Sequence, residues 1–222
     1  MRPVLRFRLA LAATASLALI VSPAAAQRSV SGELLAGVAL NIPLPLTVTQ
    51  PGQPPIHLTA RYATRPFQFA VYYGLRLGRW DAAGAWELEF VHHKLYLENP
   101  TPEIQRFEVS HGFNMLTVNR AEAWTDSSDV LWRAGAGVVL AHAEGTVRGQ
   151  VLSTSAGRIS GYHFGPAGRA GVGWRSGSQR LLATAELGAT VGYVRARMSG
   201  GTAKVVNLAI HARIGVGYGV PY

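Results

Sequence analysis

The chain has 222 residues, 48% of them hydrophobic and only 15% charged, with 25 glycines, no cysteine and a formal charge of +9. So small a charged fraction, against ~25% in an ordinary soluble domain, excludes a disordered solvating chain, and the glycines follow no Gly-X-Y period, which excludes collagen. Without cysteine there is no disulfide framework, thiolate zinc site, iron–sulfur cluster or cysteine nucleophile.

Residues 1–26 read as an export signal. Arg2, Arg6 and Arg8 form a basic start, Leu9 to Val21 is an apolar run, and Ala24-Ala25-Ala26 before Gln27 supplies the small residues a signal peptidase reads. The run falls short of the ~20 apolar residues a transmembrane helix needs. The sequence therefore predicts a leader over 1–26 and one mature domain over 27–222. With the leader's arginines gone the remainder is only moderately basic, and no basic helix or RNA-binding motif is present, so nucleic acid is not an expected partner.

Beyond Gln27 the pattern has period two. Apolar residues alternate with polar residues or glycine over eight segments, about 30–42, 66–78, 85–97, 106–118, 130–142, 161–175, 180–194 and 204–222. The last is the clearest: Leu208, Ile210, Ala212, Ile214, Val216, Tyr218, Val220 and Tyr222 share one face, against Asn207, His211, Arg213, Gly215 and Gly217 on the other. Each segment exceeds the ~9–11 residues a tilted strand needs to cross a bilayer. Gaps one, three, five and seven are on average longer than gaps two, four and six, as expected for external loops and periplasmic turns. All five tryptophans, Trp80, Trp86, Trp124, Trp132 and Trp174, fall at the short-turn end, where an interfacial girdle belongs.

A soluble barrel would turn its apolar face inward. Here the other face carries Gly, Arg and Glu, which cannot form a soluble core, so the expected fold is all-β: a closed eight-stranded antiparallel transmembrane β-barrel behind an N-terminal signal peptide. On these segments the chain resembles the small eight-stranded outer-membrane barrels of the OmpX-like group. That resemblance implies an outer-membrane location. It also implies that the last strand, ending in Tyr222, is read by the barrel-assembly machinery; Pro221 departs from the group's usual ending.

Eight strands enclose a space just wide enough for side chains to fill, which excludes a general porin. The alternation projects Glu33, Glu87, Glu89, Glu108 and Glu186 inward together with Arg76, Arg133, Arg169, Arg175 and Arg213. A balanced set of this kind suits a low-dielectric interior, where an unpaired charge is costly. Inward glycines such as Gly135, Gly137, Gly171, Gly173, Gly215 and Gly217 make room for those long side chains, or else line a ligand cavity.

One hairpin is dense in reactive groups. With a turn centred near Thr101, His93 stands opposite Ser110 and His92 opposite His111, and Glu108 shares the face of Ser110. His93 as base, Ser110 as nucleophile and Glu108 as orienting carboxylate are the parts of an activated serine. A weaker resemblance to the lipid A deacylase barrels implies the same chemistry, but their His-x-Ser spacing is absent and no residue role is transferred. His92 and His111 without a carboxylate on their face do not make a metal site, and no metal or cofactor is expected. At the external end Arg148, Arg158, Arg195, Arg197 and Lys204, with Arg61 and Arg65, outnumber Glu98, Glu103 and Glu144 and suit lipopolysaccharide phosphates. The expected function is a structural or surface-interaction barrel with an ion-paired lumen. The alternatives are a lipid A-modifying hydrolase or acyltransferase, and a barrel that binds a small apolar ligand.

Overall fold

The structure, a computed structural model, describes residues 28–125, 128–154, 161–177 and 180–222. The expected leader, residues 1–26, and the candidate Arg158 lie outside the described residues. The described chain is all-β. In order its strands are β1 Ser29–Ile42, β2 Leu44–Thr49, β3 Ile56–Ala60, β4 Tyr62–Ala63, β5 Tyr73–Asp81, β6 Gly84–His92, β7 Leu95–Leu97 and β8 Ile104–Val109. There follow β9 Phe113–Ala123, β10 Val130–Ala141, β11 Glu144–Val147, β12 Gln150–Ser153, β13 His163–Gly177, β14 Leu181–Met198 and β15 Gly201–Pro221.

Eight of these close into a barrel in the order β1-β5-β6-β9-β10-β13-β14-β15, all antiparallel, and β15 pairs back onto β1 from Ser29↔Pro221 to Ile42↔Leu208. Closure pairs the wall strands around the ring, as spanning a bilayer with strands requires, except along the upper part of β1 on its β5 side. The alternation sets which side faces out: Ile214 is 69% exposed and Val216 67%, whereas their neighbour Arg213 is 4% exposed and the partnering Glu186 6%. The outer wall is therefore the apolar one, with Leu34, Leu77, Leu88, Val118, Val172 and Leu187 continuing the band. Trp80, Trp86, Trp124, Trp132 and Trp174 all lie at strand ends joined by the short connections, and Trp80 Nε1 donates to Ser31 Oγ at 3.0 Å.

Where the strands leave the apolar band, the two faces exchange character. Along β14 the inward residues change from Glu186 and Thr190 to Val194, Ala196 and Met198, while the outward ones change from Leu187 and Val191 to Arg195 and Arg197. On β15 the same inversion separates Arg213, His211 and Asn207 from Val205 and Ala203. Water has replaced hydrocarbon as the outer medium, so the greasy side turns inward. The principal apolar core, with Leu46, Val48, Ile56, Leu95, Ile104, Phe107, Phe113, Met115, Val147, Leu152, Val194 and Val205, consequently lies at the end away from the tryptophans.

That core is roofed by strands assigned to loops or to the barrel wall in the sequence. β2 and β3 extend the wall beside β15, and β12-β11-β8-β7-β4 form a second, five-stranded sheet. Several expected boundaries are corrected accordingly. The second wall strand begins at Tyr73 rather than 66, the third ends at His92 rather than 97, and the fourth runs over Phe113–Ala123 rather than 106–118. The seventh gap, expected over 195–203, is a tight turn at Ser199-Gly200 between the two longest strands; Gly200 has φ +76, a conformation that favours glycine.

The seam between β1 and β5 is only half zipped. β1 pairs with β5 from Ser29 to Leu35. Above that, Asn41 holds the returning chain through its side chain, donating to the Tyr62 carbonyl at 3.0 Å and to Thr64 Oγ1 at 2.9 Å.

Candidate functional site

The middle of the lumen is a cluster of ions. Arg76 on β5 reaches Glu186 Oε2 at 2.6 Å, Glu89 Oε2 at 2.7 Å, Glu33 Oε2 at 3.3 Å and Glu87 Oε2 at 3.6 Å. Arg133 on β10 binds Glu87 Oε2 at 3.0 Å and approaches Glu186 Oε2 at 3.4 Å. Arg213 on β15 binds Glu89 Oε1 at 2.8 Å and also Glu186; Arg169 on β13 pairs with the same two carboxylates. Arg175 closes the tryptophan-bearing end, with Nε 3.3 Å from Glu33 Oε1 and its guanidinium 4.1 Å above the Trp80 ring. Strands on every side of the barrel contribute, so the ions tie its walls together across the lumen. Almost all of these groups are cut off from water, where an unmatched charge would be costly.

Glu108, expected in this set, is not there. It sits on β8 in the cap and pairs with Arg106 at 2.6 Å.

Above the ions lies a layer of hydroxyl, amide and imidazole side chains. His211 is held between Tyr72 Oη at 2.9 Å and Thr190 Oγ1 at 2.7 Å. His93 Nε2 lies 3.1 Å from Thr64 Oγ1, and its ring centroid is 5.3 Å from that of His211. Asn207 donates to Asn41 Oδ1 at 2.8 Å. Above this layer comes the apolar core, so three successive layers fill the interior: ions, then amides and imidazoles, then hydrocarbon. The binding-barrel alternative needs a cavity in the lumen; a groove of about 680 Å³ opens on the outer wall, lined by Ala36, Val172, Trp174, Ala185 and Ala212 among others.

The proposed serine triad is not assembled. The β6–β9 register places Glu89 opposite Thr117 and Val91 opposite Met115, and an additional short hairpin, β7–β8, pairs Leu95 with Val109. The expected pairs, His93 with Ser110 and His92 with His111, therefore do not form. His93 is buried in the polar layer, and Ser110 faces the cap, donating to Glu144 Oε1 at 3.1 Å. A serine whose proton points at a carboxylate has no imidazole base. His92 is turned to Asn114, Nδ1 to Oδ1 at 2.7 Å, and stacks on Tyr73.

The mouth holds a cluster the sequence reading passed over. His111 follows Ser110 between β8 and β9; His142 and Glu144 lie at the junction of β10 and β11. His111 Nδ1 is 3.5 Å from Glu144 Oε1, and the two imidazole centroids are 4.9 Å apart. Tyr162 packs on His142 and donates from its hydroxyl to the His111 carbonyl at 3.3 Å. Burial, and then the neighbouring His111 ring, hold His142 below the usual imidazole value. The available signal was the His142-x-Glu144 spacing, which puts both side chains on one face of an extended segment.

The basic candidates divide. Arg148 is occupied inside the cap, 2.8 Å from Glu103 Oε1 and 3.3 Å from Gln50 Oε1. Arg195 stands directly opposite Lys204 on the outward face of the β14–β15 hairpin, with Arg197 two residues further out. None of these three has an ion-pair partner among the described residues.

No family model matches the chain, and no curated protein matches it. Solved structures do. The chain is similar to the outer membrane protein OprG from Pseudomonas aeruginosa at 12% identity and a TM-score of 0.42, covering 89% of this chain and 97% of that one. It is similar to Ail, the attachment invasion locus protein of Yersinia pestis, at 12% identity and a TM-score of 0.39, over 88% and 99% of the two chains. It is likewise similar to Neisserial surface protein A, at 10% identity and a TM-score of 0.39, over 86% and 96%.

Proposed function

We propose that this chain is an integral outer-membrane barrel with a sealed lumen, and that its work is done on the outside, in a structural or surface-interaction role. The observation that carries this reading is the plug: Arg76, Arg133, Arg169 and Arg213 buried against Glu33, Glu87, Glu89 and Glu186. Opening a water path through it would break several buried ion pairs at once. What remains available is the extracellular cap and its outward basic face.

Lipopolysaccharide is the proposed partner of that face. Like charges directly opposite on neighbouring strands destabilise a hairpin, and Arg195 and Lys204 are such a pair. A phosphate placed between them removes the repulsion and takes charge-assisted hydrogen bonds. The level is right, because the pair sits just beyond Val191 and Tyr193, where the apolar band ends. The barrel-assembly machinery is the other proposed partner, through the alternating strand that ends at Tyr222.

Planar-bilayer recording tests the plug: the refolded protein is expected to add no stepwise conductance, and sustained open-channel steps would overturn the reading. For the partner, the triple variant Arg195→Ala, Arg197→Ala, Lys204→Ala is expected to retain less lipopolysaccharide after extraction from outer membranes than the parent. Equal retention removes lipopolysaccharide as the ligand of this face.

A further inference from the structure

We infer that His111, His142 and Glu144 form a binding site for a divalent transition-metal cation, of the zinc type, at the extracellular mouth of the barrel. Each offers one ligand atom, and the three atoms lie within 4.8 Å of one another. Two imidazoles and one carboxylate are the donor set of open zinc sites, in which water or another ligand takes the fourth position. Tetrahedral ligands about 2.1 Å from zinc stand roughly 3.4 Å apart. His111 is solvent-exposed, its side chain 64% accessible, which leaves its ring room to turn toward the other two ligands.

The surroundings favour a cation. Neither nitrogen of His142 has a hydrogen-bond partner among the described residues, while its ring is fixed edge-on by His111 and Tyr162. Ser110 donates to Glu144 Oε1 and so sets the carboxylate's orientation, as outer-shell donors do around metal ligands. Among the described residues the competing cation Arg106 is 3.9 Å from Glu144 Oε2 and is committed to Glu108 at 2.6 Å. Bound metal would clamp the connection before β9 to the one after β10.

The test uses the mature chain refolded in detergent without a polyhistidine tag, stripped with chelator, then titrated with zinc chloride by calorimetry and with cobalt(II) by visible absorption. One saturable site per chain is expected, with cobalt bands of low coordination number. His111→Ala and Glu144→Gln are each expected to weaken zinc binding roughly tenfold or more, whereas His57→Ala, remote from the cluster, leaves it unchanged. His142→Ala is a third arm, and heat-modifiable gel mobility certifies that each variant has folded. Exposed His111 decides the matter if the His142 variant does not refold. Absence of a saturable zinc site in the parent overturns the inference, as does zinc binding that His111→Ala and Glu144→Gln leave intact.

Discussion

Arg76 and Glu186 meet across the lumen, Nη2 to Oε2 at 2.6 Å, although 110 residues separate them. Glu186 is also bound by Arg213 and Arg169 and approached by Arg133, so one carboxylate balances guanidinium groups from four strands. Removing one partner of a buried ion pair costs about 3–5 kcal/mol, because the charge left behind is neither solvated nor matched. Glu186→Ala is therefore expected to lower unfolding stability by about that amount, measured by urea titration of the barrel in lipid vesicles with tryptophan fluorescence. Glu122→Ala removes the partner of Arg120 in a more accessible pair and is expected to cost about 1 kcal/mol or less. Equal losses in the two variants would contradict a dry lumen.

The outer wall makes a separate demand. Ile214 is among the most exposed residues of the apolar band, and a lipid-facing arginine near the bilayer midplane costs about 2–4 kcal/mol. Ile214→Arg should show that loss in the same titration. Val151 on β12 is 74% exposed, but in the cap, where the medium is water. Val151→Arg is expected to stay within about 0.5 kcal/mol of the parent. A soluble protein would respond alike at both positions.

The alternation was legible because a strand's side-chain period does not depend on register: reading Leu208, Ile214 and Val216 against His211 and Arg213 assigns the two faces whatever the neighbours are. It also gave the lumen's charged residues, with the exception of Glu108. That residue was misplaced because the pattern does not stop at the membrane. Phe107 and Val109 alternate with Glu108 just as wall residues do, but their apolar side faces the cap core. Period two tells which residues share a face and not which solvent that face meets. The hairpin register failed for a related reason. A turn centred near Thr101 is close to correct for β7–β8, where Tyr96 opposes Glu108. The chain between that short hairpin and the wall pair is irregular, however, and Gly112 takes φ +108; this shifts the register of β6 on β9. His142 and Glu144 went unnoticed as a pair because they straddle a strand end.

Packing between wall strands gives a third prediction. A Cβ built on Gly137 would lie 2.0 Å from the Leu116 carbonyl oxygen on β9, whereas one on Gly168 meets nothing nearer than Val191 Cγ1 at 3.6 Å. Gly137→Ala must push two hydrogen-bonded strands apart and is expected to cost about 1–3 kcal/mol, as overpacking does. Gly168→Ala is expected to be neutral or slightly stabilising, since alanine reduces the freedom of the unfolded chain. The heat needed to convert the compact gel form to the unfolded form compares the two variants directly. If Gly137→Ala is the more tolerant, the close approach of β10 to the Leu116 carbonyl on β9 is wrong.

Ser110 supplies the last prediction. Acyl transfer by a serine needs its proton removed by a base that is itself oriented, with room beside it for the acyl carbonyl. Here the hydroxyl is 3.1 Å from Glu144 Oε1, His93 is sealed in the lumen against Thr64, and Glu108 is engaged by Arg106. The carboxylate takes the place an imidazole base would occupy. Ser110→Ala should therefore leave lipid A acylation, read by mass spectrometry of extracted outer membranes, indistinguishable from the parent, and a strain lacking the protein should match both. A lipid A species that disappears in the serine variant and in the deletion alike would restore the hydrolase, and would require this hairpin to adopt another register when it meets lipid.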